Sequence, residues 1–96
     1  MYVLVTYDIS TDSKGGPKRL RRIAKACLDY GQRVQFSVFE CWISSEDFVT
    51  FKARLLNEMD PAYDSIRFYL LGDKWERHVE HYGTKVTQNL EDPLII

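Results

Sequence analysis

Cysteine is scarce in this sequence, because the 96 residues include only Cys27 and Cys41. Both lie within apolar periodic segments, and neither has a second cysteine at the spacing of a metal-binding pair. Two reduced thiols in the core are therefore the favoured interpretation, ahead of a zinc or redox site. The phosphate-cradling loop with regularly spaced glycines is also missing, since Gly15 and Gly16 form only a GGPK turn.

Long hydrophobic runs are absent as well, and no apolar stretch approaches the length of a membrane span. Met1 is followed directly by strand-forming residues and not by the basic and apolar segments of a signal peptide. We therefore expect a cytoplasmic protein without a membrane partner. The length of 96 residues suits a single domain, and so small a domain gains additional burial by self-association.

The net charge of −1 does not by itself indicate a polyanionic partner. The distribution of charge is uneven, however. Residues 1–33 contain seven basic and three acidic side chains, whereas residues 34–96 contain six basic and eleven acidic ones. The first third of the chain is therefore the candidate for contacts with an anionic partner.

The order of predicted elements indicates the fold. Residues 2–7 predict a strand that ends at Asp8, residues 18–30 an amphipathic helix with Gly31 at its C′ position, and QRVQFSVFECWI a strand pair whose break is left open near Ser37. Phe36 and Phe39 in this pair are expected to pack in the core or in a dimer. A second helix follows Ser44 and Ser45, and DSIRFYLLG predicts another strand.

This order predicts an α+β, ferredoxin-like βαββαβ fold in residues 1–72, with an antiparallel sheet and both helices on one face. Residues 73–96 are expected to form a C-terminal extension with an edge strand, RHVEHY, and a docking tail that ends in Leu94, Ile95 and Ile96. The first and last core strands carry apolar or aromatic residues on both sides. A homodimer packed through the open sheet face is therefore expected.

Asp8 is the first candidate for chemistry, because a carboxylate stands where a buried strand ends. It could bind Mg²⁺ together with a symmetry-related Asp8, since Mg²⁺ is commonly held by one or two carboxylates with water and phosphate. The ordinary alternative is that Asp8 caps or hydrogen-bonds the loop Ser10–Gly16. Ser10 and Asp12 are weaker candidates for supporting contacts. The residues alone leave these roles open.

The exposed side of the first helix is the second candidate, as a surface for nucleic-acid phosphates. The alternative is a merely solvated helix face. Because residues 14–33 contain a single carboxylate, Asp29, we expect these cations to lack acidic partners. His78, Glu80 and His81 are expected to be surface residues and not metal ligands, because the histidines would face opposite sides of a strand. The predicted nucleic-acid-binding residues are Lys18, Arg19, Arg21, Arg22, Lys25 and Arg33.

Three segments, VLVTYDIS, KRLRRIAKACLDYGQRVQFSVFE and DSIRFYLLG, together resemble the small CRISPR-associated protein family that partners the adaptation integrase in spacer acquisition. The resemblance covers residues 1–72 in order and spacing, and the tail LEDPLII resembles that of one subgroup. It implies a ferredoxin-like homodimer in which Asp8 of each chain approaches the two-fold axis, with Mg²⁺ or Mn²⁺ between them.

The resemblance implies two functions of different classes. One is a metal-dependent endonuclease that acts on double-stranded DNA or RNA, with Asp8 as catalytic metal ligand and the basic helix as a clamp. The other is a non-catalytic DNA-binding subunit that bridges integrase dimers, with the tail docked on the integrase. A small-ligand regulatory domain of the same fold is a third hypothesis, which the resemblance disfavours.

Overall fold

The computed structural model describes residues 1–71 and 77–84. The elements follow one another as β1 (Tyr2–Asp8), α1 (Gly16–Tyr30), β2 (Gln32–Gln35), β3 (Val38–Trp42), α2 (Ser45–Glu58), β4 (Ser65–Leu71) and β5 (Arg77–Gly83). This confirms the predicted α+β, ferredoxin-like fold. The predicted docking function of residues 85–96 lies outside the described residues.

The sheet has five strands in the order β2-β3-β1-β4-β5, and every neighbouring pair is antiparallel. β1 lies at the centre, where Val5 is opposite Phe39 of β3 and Phe68 of β4. β5 pairs with β4 over its whole length and forms one edge. This arrangement places Asp8, the last residue of β1, opposite Ser65, the first residue of β4.

Both helices cover one face of the sheet, and the core lies between them and that face. Alternate residues of β1 are buried against the helices, as are the inward stripes of α1 and α2. Phe51 of α2 is fully buried, with its ring centroid 4.7 Å from that of Tyr30 and 6.3 Å from that of Phe68. Neither described helix is long and apolar enough to cross a membrane.

The break between β2 and β3 falls at Phe36 and Ser37, which form the turn of the hairpin. Phe36 is 91% exposed, whereas Phe39 is fully buried. Core packing is therefore confirmed for Phe39, whereas Phe36 lies outside the core of its own chain and its packing in a dimer stays a prediction. Turn geometry explains the difference, because a residue at the tip of a hairpin has no neighbouring element to pack against.

Gly31 directly follows the last residue of α1, as the sequence predicts. Its φ of −156° and ψ of −161° are extended, and its N–H donates to the carbonyl of Cys27. The reason for glycine here is close approach, since a Cβ would collide with the Sγ of Cys41 and the carbonyl of Glu40. Gly31 thereby lets α1 turn directly into β2 beside β3.

The second helix begins at the serine pair, as its sequence predicts. The hydroxyl of Ser44 accepts a hydrogen bond from the backbone N–H of Asp47 at 3.1 Å, which caps the N-terminus.

Both cysteines are buried and form no disulfide, as expected. Burial raises the pKa of Cys27 to about 12 and that of Cys41 to about 11, so both thiols stay protonated and inert at neutral pH.

Candidate functional site

Asp8 lies at the end of the central strand, on the sheet face that the helices leave open. Its neighbour Tyr7 points toward the helices and is buried, whereas Asp8 is exposed. The carboxylate borders a cavity of about 180 Å³ at the β1-β4-β5 side of this face. We call it the Asp8 cavity; its lining residues are Thr6, Tyr7, Asp8, Ser65, Arg67 and His81.

One arginine and one histidine join Asp8 in the cavity: Arg67, which the sequence did not single out, and His81, which was expected to be a surface residue. They stand opposite each other on β4 and β5, and Arg67 Nη2 lies 3.2 Å from His81 Nδ1. Arg67 Nη1 also donates to the hydroxyl of Tyr69 at 3.1 Å. The available signal was strand alternation, which puts Arg67 on the same open face as Asp8 once β1 and β4 are known to pair.

His81 is held in its neutral form. Burial and, secondarily, the charge of Arg67 lower its pKa below the ordinary value of 6.5. Because a guanidinium only donates hydrogen bonds, Nδ1 of His81 must accept, so the ring proton is on Nε2. Nε2 is buried and has no hydrogen-bond partner among residues 1–71 and 77–84. The neutral imidazole therefore orients Arg67 beside Asp8.

The residues of a single chain fit a metal ion only in part. Within the described ranges, no three His, Cys, Asp or Glu side chains come together as a possible metal site. Asp8 offers one carboxylate, which is one of the ligands that Mg²⁺ commonly uses. His78 pairs with Glu80 at 3.2 Å, while His81 bonds to Arg67 on the open face, so these three residues do not converge. Asp8 of a single chain therefore supplies one ligand, and a second carboxylate would have to come from another chain.

The loop after β1 is held by Asp64, which the sequence analysis did not single out. Asp64 is fully buried and accepts hydrogen bonds from the backbone N–H groups of Ser10 and Asp60, each at 2.9 Å. Burial alone would raise its pKa, but the hydrogen bonds from Arg19, Asp60 and Ser10 outweigh burial and hold the pKa below its ordinary value. A buried carboxylate from the α2-β4 connection thus performs the loop-holding duty considered for Asp8.

Arg19 was predicted to contact nucleic acid, but the structure turns its guanidinium inward. Nε donates to Asp64 at 2.8 Å, Nη1 to the carbonyl of Lys14 at 2.7 Å, and Nη2 to the hydroxyl of Ser13 at 2.6 Å. Only 14% of the side chain is exposed. Arg19 therefore fastens the loop to the domain, and we do not retain it as a phosphate contact.

The other predicted cations of α1, Lys18, Arg21, Arg22 and Lys25, are exposed. The expectation that they lack acidic partners is wrong for two of them. Arg22 lies 3.5 Å from Glu58 of α2, and Lys25 lies 2.8 Å from Asp29 one turn later. Helix packing supplied the first partner, which the local sequence could not reveal.

Arg33 stands apart from the α1 cations, on the edge strand β2. It is exposed, and its guanidinium carbon lies 5.0 Å from the ring centroid of Phe39.

The α1 cations point away from the sheet on the helix side, whereas Asp8 is on the other face. In one chain, the basic helix and Asp8 therefore belong to opposite surfaces and do not form one cleft.

Comparison with known proteins identifies the family of the chain. The family model of CRISPR associated protein Cas2 matches residues 1–79. The chain belongs to this Cas2 family. It is 56% identical to a Chlorobaculum tepidum protein named CRISPR-associated endoribonuclease Cas2, with both chains covered completely. It is 53% identical to a Halalkalibacterium halodurans protein named CRISPR-associated endonuclease Cas2, with 99% of each chain covered.

A solved Cas2 structure supports the same assignment. The crystal structure of Streptococcus pyogenes Cas2 at pH 6.5 matches with a TM-score of 0.69 and 59% identity, covering 78% of this chain and 90% of that one. The resemblance inferred from the three segments is thereby confirmed. The names of the relatives differ between endoribonuclease and endonuclease, so family membership alone does not select the nucleic acid.

Proposed function

We propose that the chain is a homodimeric, divalent-metal-dependent endonuclease that hydrolyses phosphodiester bonds in double-stranded DNA or RNA. The observation that carries the proposal is the position of Asp8: an exposed carboxylate at the end of the central strand, sharing a cavity with Arg67 and His81. The names of the relatives support the nuclease activity. The adaptation integrase is the expected partner, as the family resemblance implies.

The open sheet face supports the dimer. Its aromatic and apolar residues include Trp42, which is 76% exposed, and Leu71, which is 37% exposed. Packing this face on a second copy buries both and brings two Asp8 cavities to one interface, because an isologous contact uses the same patch on both chains. Two Asp8 carboxylates would then hold Mg²⁺ or Mn²⁺.

The metal, when bound, would polarise the scissile phosphate and lower the pKa of a bound water toward that of a nucleophile. The residues of the chain then have distinct roles. Asp8 supplies the carboxylate ligand, and Arg67 presents N–H donors and a positive charge where negative charge develops on the phosphate. Neutral His81 holds Arg67 in place, so that its guanidinium is oriented before the substrate arrives.

A second function, a non-catalytic DNA-binding subunit that bridges integrase dimers, has its own support. The cations of α1 are exposed on the helix layer, and Asp8 lies on the opposite face of the sheet. In this function Lys18, Arg21, Arg22 and Lys25 would neutralise backbone phosphates without reading sequence. Asp8 would then be dispensable for DNA binding.

The test compares the wild-type protein with Asp8→Asn. Each is incubated with double-stranded DNA and with single-stranded RNA, in the presence of magnesium, manganese or a chelator. We expect cleavage that requires metal and is lost in Asp8→Asn while nucleic-acid binding persists. The matched control is Asp12→Asn, because Asp12 is an exposed carboxylate of the neighbouring loop.

The contrary outcomes are equally clear. Cleavage that survives Asp8→Asn, or that persists in chelator, rejects Asp8 as the metal ligand. Binding without any cleavage by the wild-type protein supports the bridging subunit instead. The nucleic acid that the wild-type protein cleaves and the Asp8→Asn variant does not cleave is the preferred substrate.

A further inference from the structure

The hairpin between β2 and β3 carries an aromatic side chain that the core of the domain does not use. Phe36 in its turn is 91% exposed, and Val34 is 51% exposed. Residues 33–38 line a depression of about 790 Å³, and we call them the hairpin tip. A single exposed apolar side chain is ordinary on a protein surface, so the surroundings of Phe36 decide what it indicates.

The hairpin tip is fastened to the end of β1. The hydroxyl of Tyr7 donates to the carbonyl of Phe36 at 3.3 Å, and its backbone N–H donates to the carbonyl of Ser37 at 3.1 Å. Tyr7 is buried, and it also lines the Asp8 cavity. The turn that presents Phe36 is therefore held beside this cavity, by the residue that precedes Asp8 in the chain.

The charge of the hairpin suits an anionic ligand. Residues 32–39, QRVQFSVF, contain Arg33 and no carboxylate. Burial is the larger effect on Tyr7 and raises its pKa, but a hydrogen bond with Arg33 and the charge of Arg33 act in the opposite direction. The guanidinium of Arg33 therefore lies beside the hydroxyl that holds Phe36. One cation and one exposed ring occur together, as a phosphate and a base do in a nucleotide.

The position of Phe36 favours such a ligand over a second copy of the chain. The proposed dimer packs through the open sheet face, whereas Phe36 is in a turn at the end of two strands. An isologous contact through the hairpin tip would bring two Arg33 cations together. No carboxylate of residues 32–39 could then separate them.

We propose that the hairpin tip binds an unpaired nucleobase, with Phe36 as the ring on which the base stacks. Stacking tolerates any sequence, because every base has a π face. A base inside a duplex is covered by its neighbours, so a blunt duplex can reach Phe36 only at the cost of unstacking. This inference rests on the proposed function for the choice of a nucleic acid. It adds that a strand with an unpaired base is favoured beside the Asp8 cavity.

The test measures the affinity of the full-length protein for a single-stranded DNA oligonucleotide and for the blunt duplex of the same sequence, both in chelator. We expect Phe36→Leu, which keeps an apolar side chain without the ring, to weaken single-strand binding about tenfold. This factor lies within the range for one base stacked on an aromatic side chain. Phe36→Tyr, which keeps the ring, should bind as the wild-type protein does. Neither variant should change the affinity for the duplex.

A second readout reports the contact itself. A tryptophan that stacks on a base loses fluorescence, so the single strand should quench Phe36→Trp more than it quenches the wild-type protein, which has two tryptophans of its own. The blunt duplex should not produce this additional quenching. The matched control is Val34→Ala, which removes exposed apolar surface from the same hairpin and should keep the wild-type affinity for the single strand.

The proposal is overturned if Phe36→Leu binds the single strand as tightly as the wild-type protein, or if it weakens binding of single strand and duplex equally. It is also overturned if Val34→Ala has the effect of Phe36→Leu, which would reveal a general apolar contact. Sedimentation addresses the other occupant: a change of oligomeric state in Phe36→Leu but not in Phe36→Tyr would mean that a second copy covers the ring.

The outcome is independent of whether Asp8 supports cleavage, because binding is measured in chelator. Asp8→Asn should keep the same preference of the hairpin tip for the single strand. If the wild-type protein cleaves nothing but Phe36→Leu still loses single-strand affinity, the proposed nuclease activity fails and the stacking site stands. If cleavage depends on Asp8 but single-strand affinity does not depend on Phe36, the stacking site alone is rejected.

Discussion

The Asp8 cavity and the outer surface of the two helices both contain arginine, but the surroundings of these arginines differ. Arg67 in the cavity is half-buried and hydrogen-bonded to neutral His81 and to Tyr69. On the helices, Arg22 and Arg54 are more open to solvent, and they pair with the carboxylates of Glu58 and Asp29. A buried, hydrogen-bonded guanidinium is restricted to one orientation, which suits a residue that acts on a reacting group. An exposed guanidinium keeps a charge that salt can screen, which suits contacts with the phosphates of a nucleic acid.

The loop between β1 and α1 connects the two surfaces, and Asp64 fastens it. Asp64→Ala would leave Arg19 without its main carboxylate partner and two backbone N–H groups without their acceptor. We expect the free energy of unfolding to fall by about 3 to 5 kcal/mol, the usual cost of breaking a buried ion pair. Urea unfolding would measure the loss, with Asp12→Ala as an exposed loop control expected to change stability by less than about 0.5 kcal/mol.

Acid provides an independent check on the same carboxylate. The pKa of Asp64 is lower in the folded state than its ordinary value of 3.8, so the unfolded state binds the proton first. Its stabilising contribution is present above about pH 3.8 and is lost as pH falls toward the folded pKa. Asp64→Ala should abolish this part of the acid destabilisation. If the wild-type protein and the variant lose stability in parallel there, Asp64 does not fasten the loop.

Arg67→Lys addresses the cavity side of the comparison. A lysine keeps the charge but loses the planar set of donors that contacts both Tyr69 and His81. Under the proposed function we expect kcat to fall by about 10²-fold, as when one oriented donor is removed from an active site, with nucleic-acid affinity unchanged. Single-turnover cleavage and binding assays would separate the two quantities. A change in affinity with intact kcat would mean that Arg67 contributes to nucleic-acid binding and not to the chemical step.

The sequence predicted those features that depend on neighbours along the chain. The start of α2 at its serine cap and the order of helices and strands along the chain follow from local periodicity and turn chemistry. Asp64 and Arg54 escaped notice because their partners, Arg19 and Asp29, are 45 and 25 residues away, and only the packing of elements brings them together. Arg19 was misassigned for the same reason: its position beside a basic stripe suggested exposure, but a buried carboxylate draws it inward.

The smallest expected effect concerns the ion pair between Arg22 of α1 and Glu58 of α2. Glu58→Gln removes a carboxylate that lies 3.5 Å from Arg22, and we expect the free energy of unfolding to change by less than about 0.5 kcal/mol, because exposed ion pairs contribute little. DNA affinity should rise at low salt as Arg22 is released to phosphate. The gain should disappear at high salt, where exposed charges are screened.

Fluorescence anisotropy at two salt concentrations would measure this gain, with Glu46→Gln as a control of equal charge change in the first turn of α2. An equal gain in both variants would mean that the duplex responds only to net charge. A lower affinity for Glu58→Gln would mean that Glu58 orients Arg22 more than it competes for it. Arg22 would then resemble Arg67 of the Asp8 cavity, because the orientation that its partner gives it would matter more than its exposure to solvent.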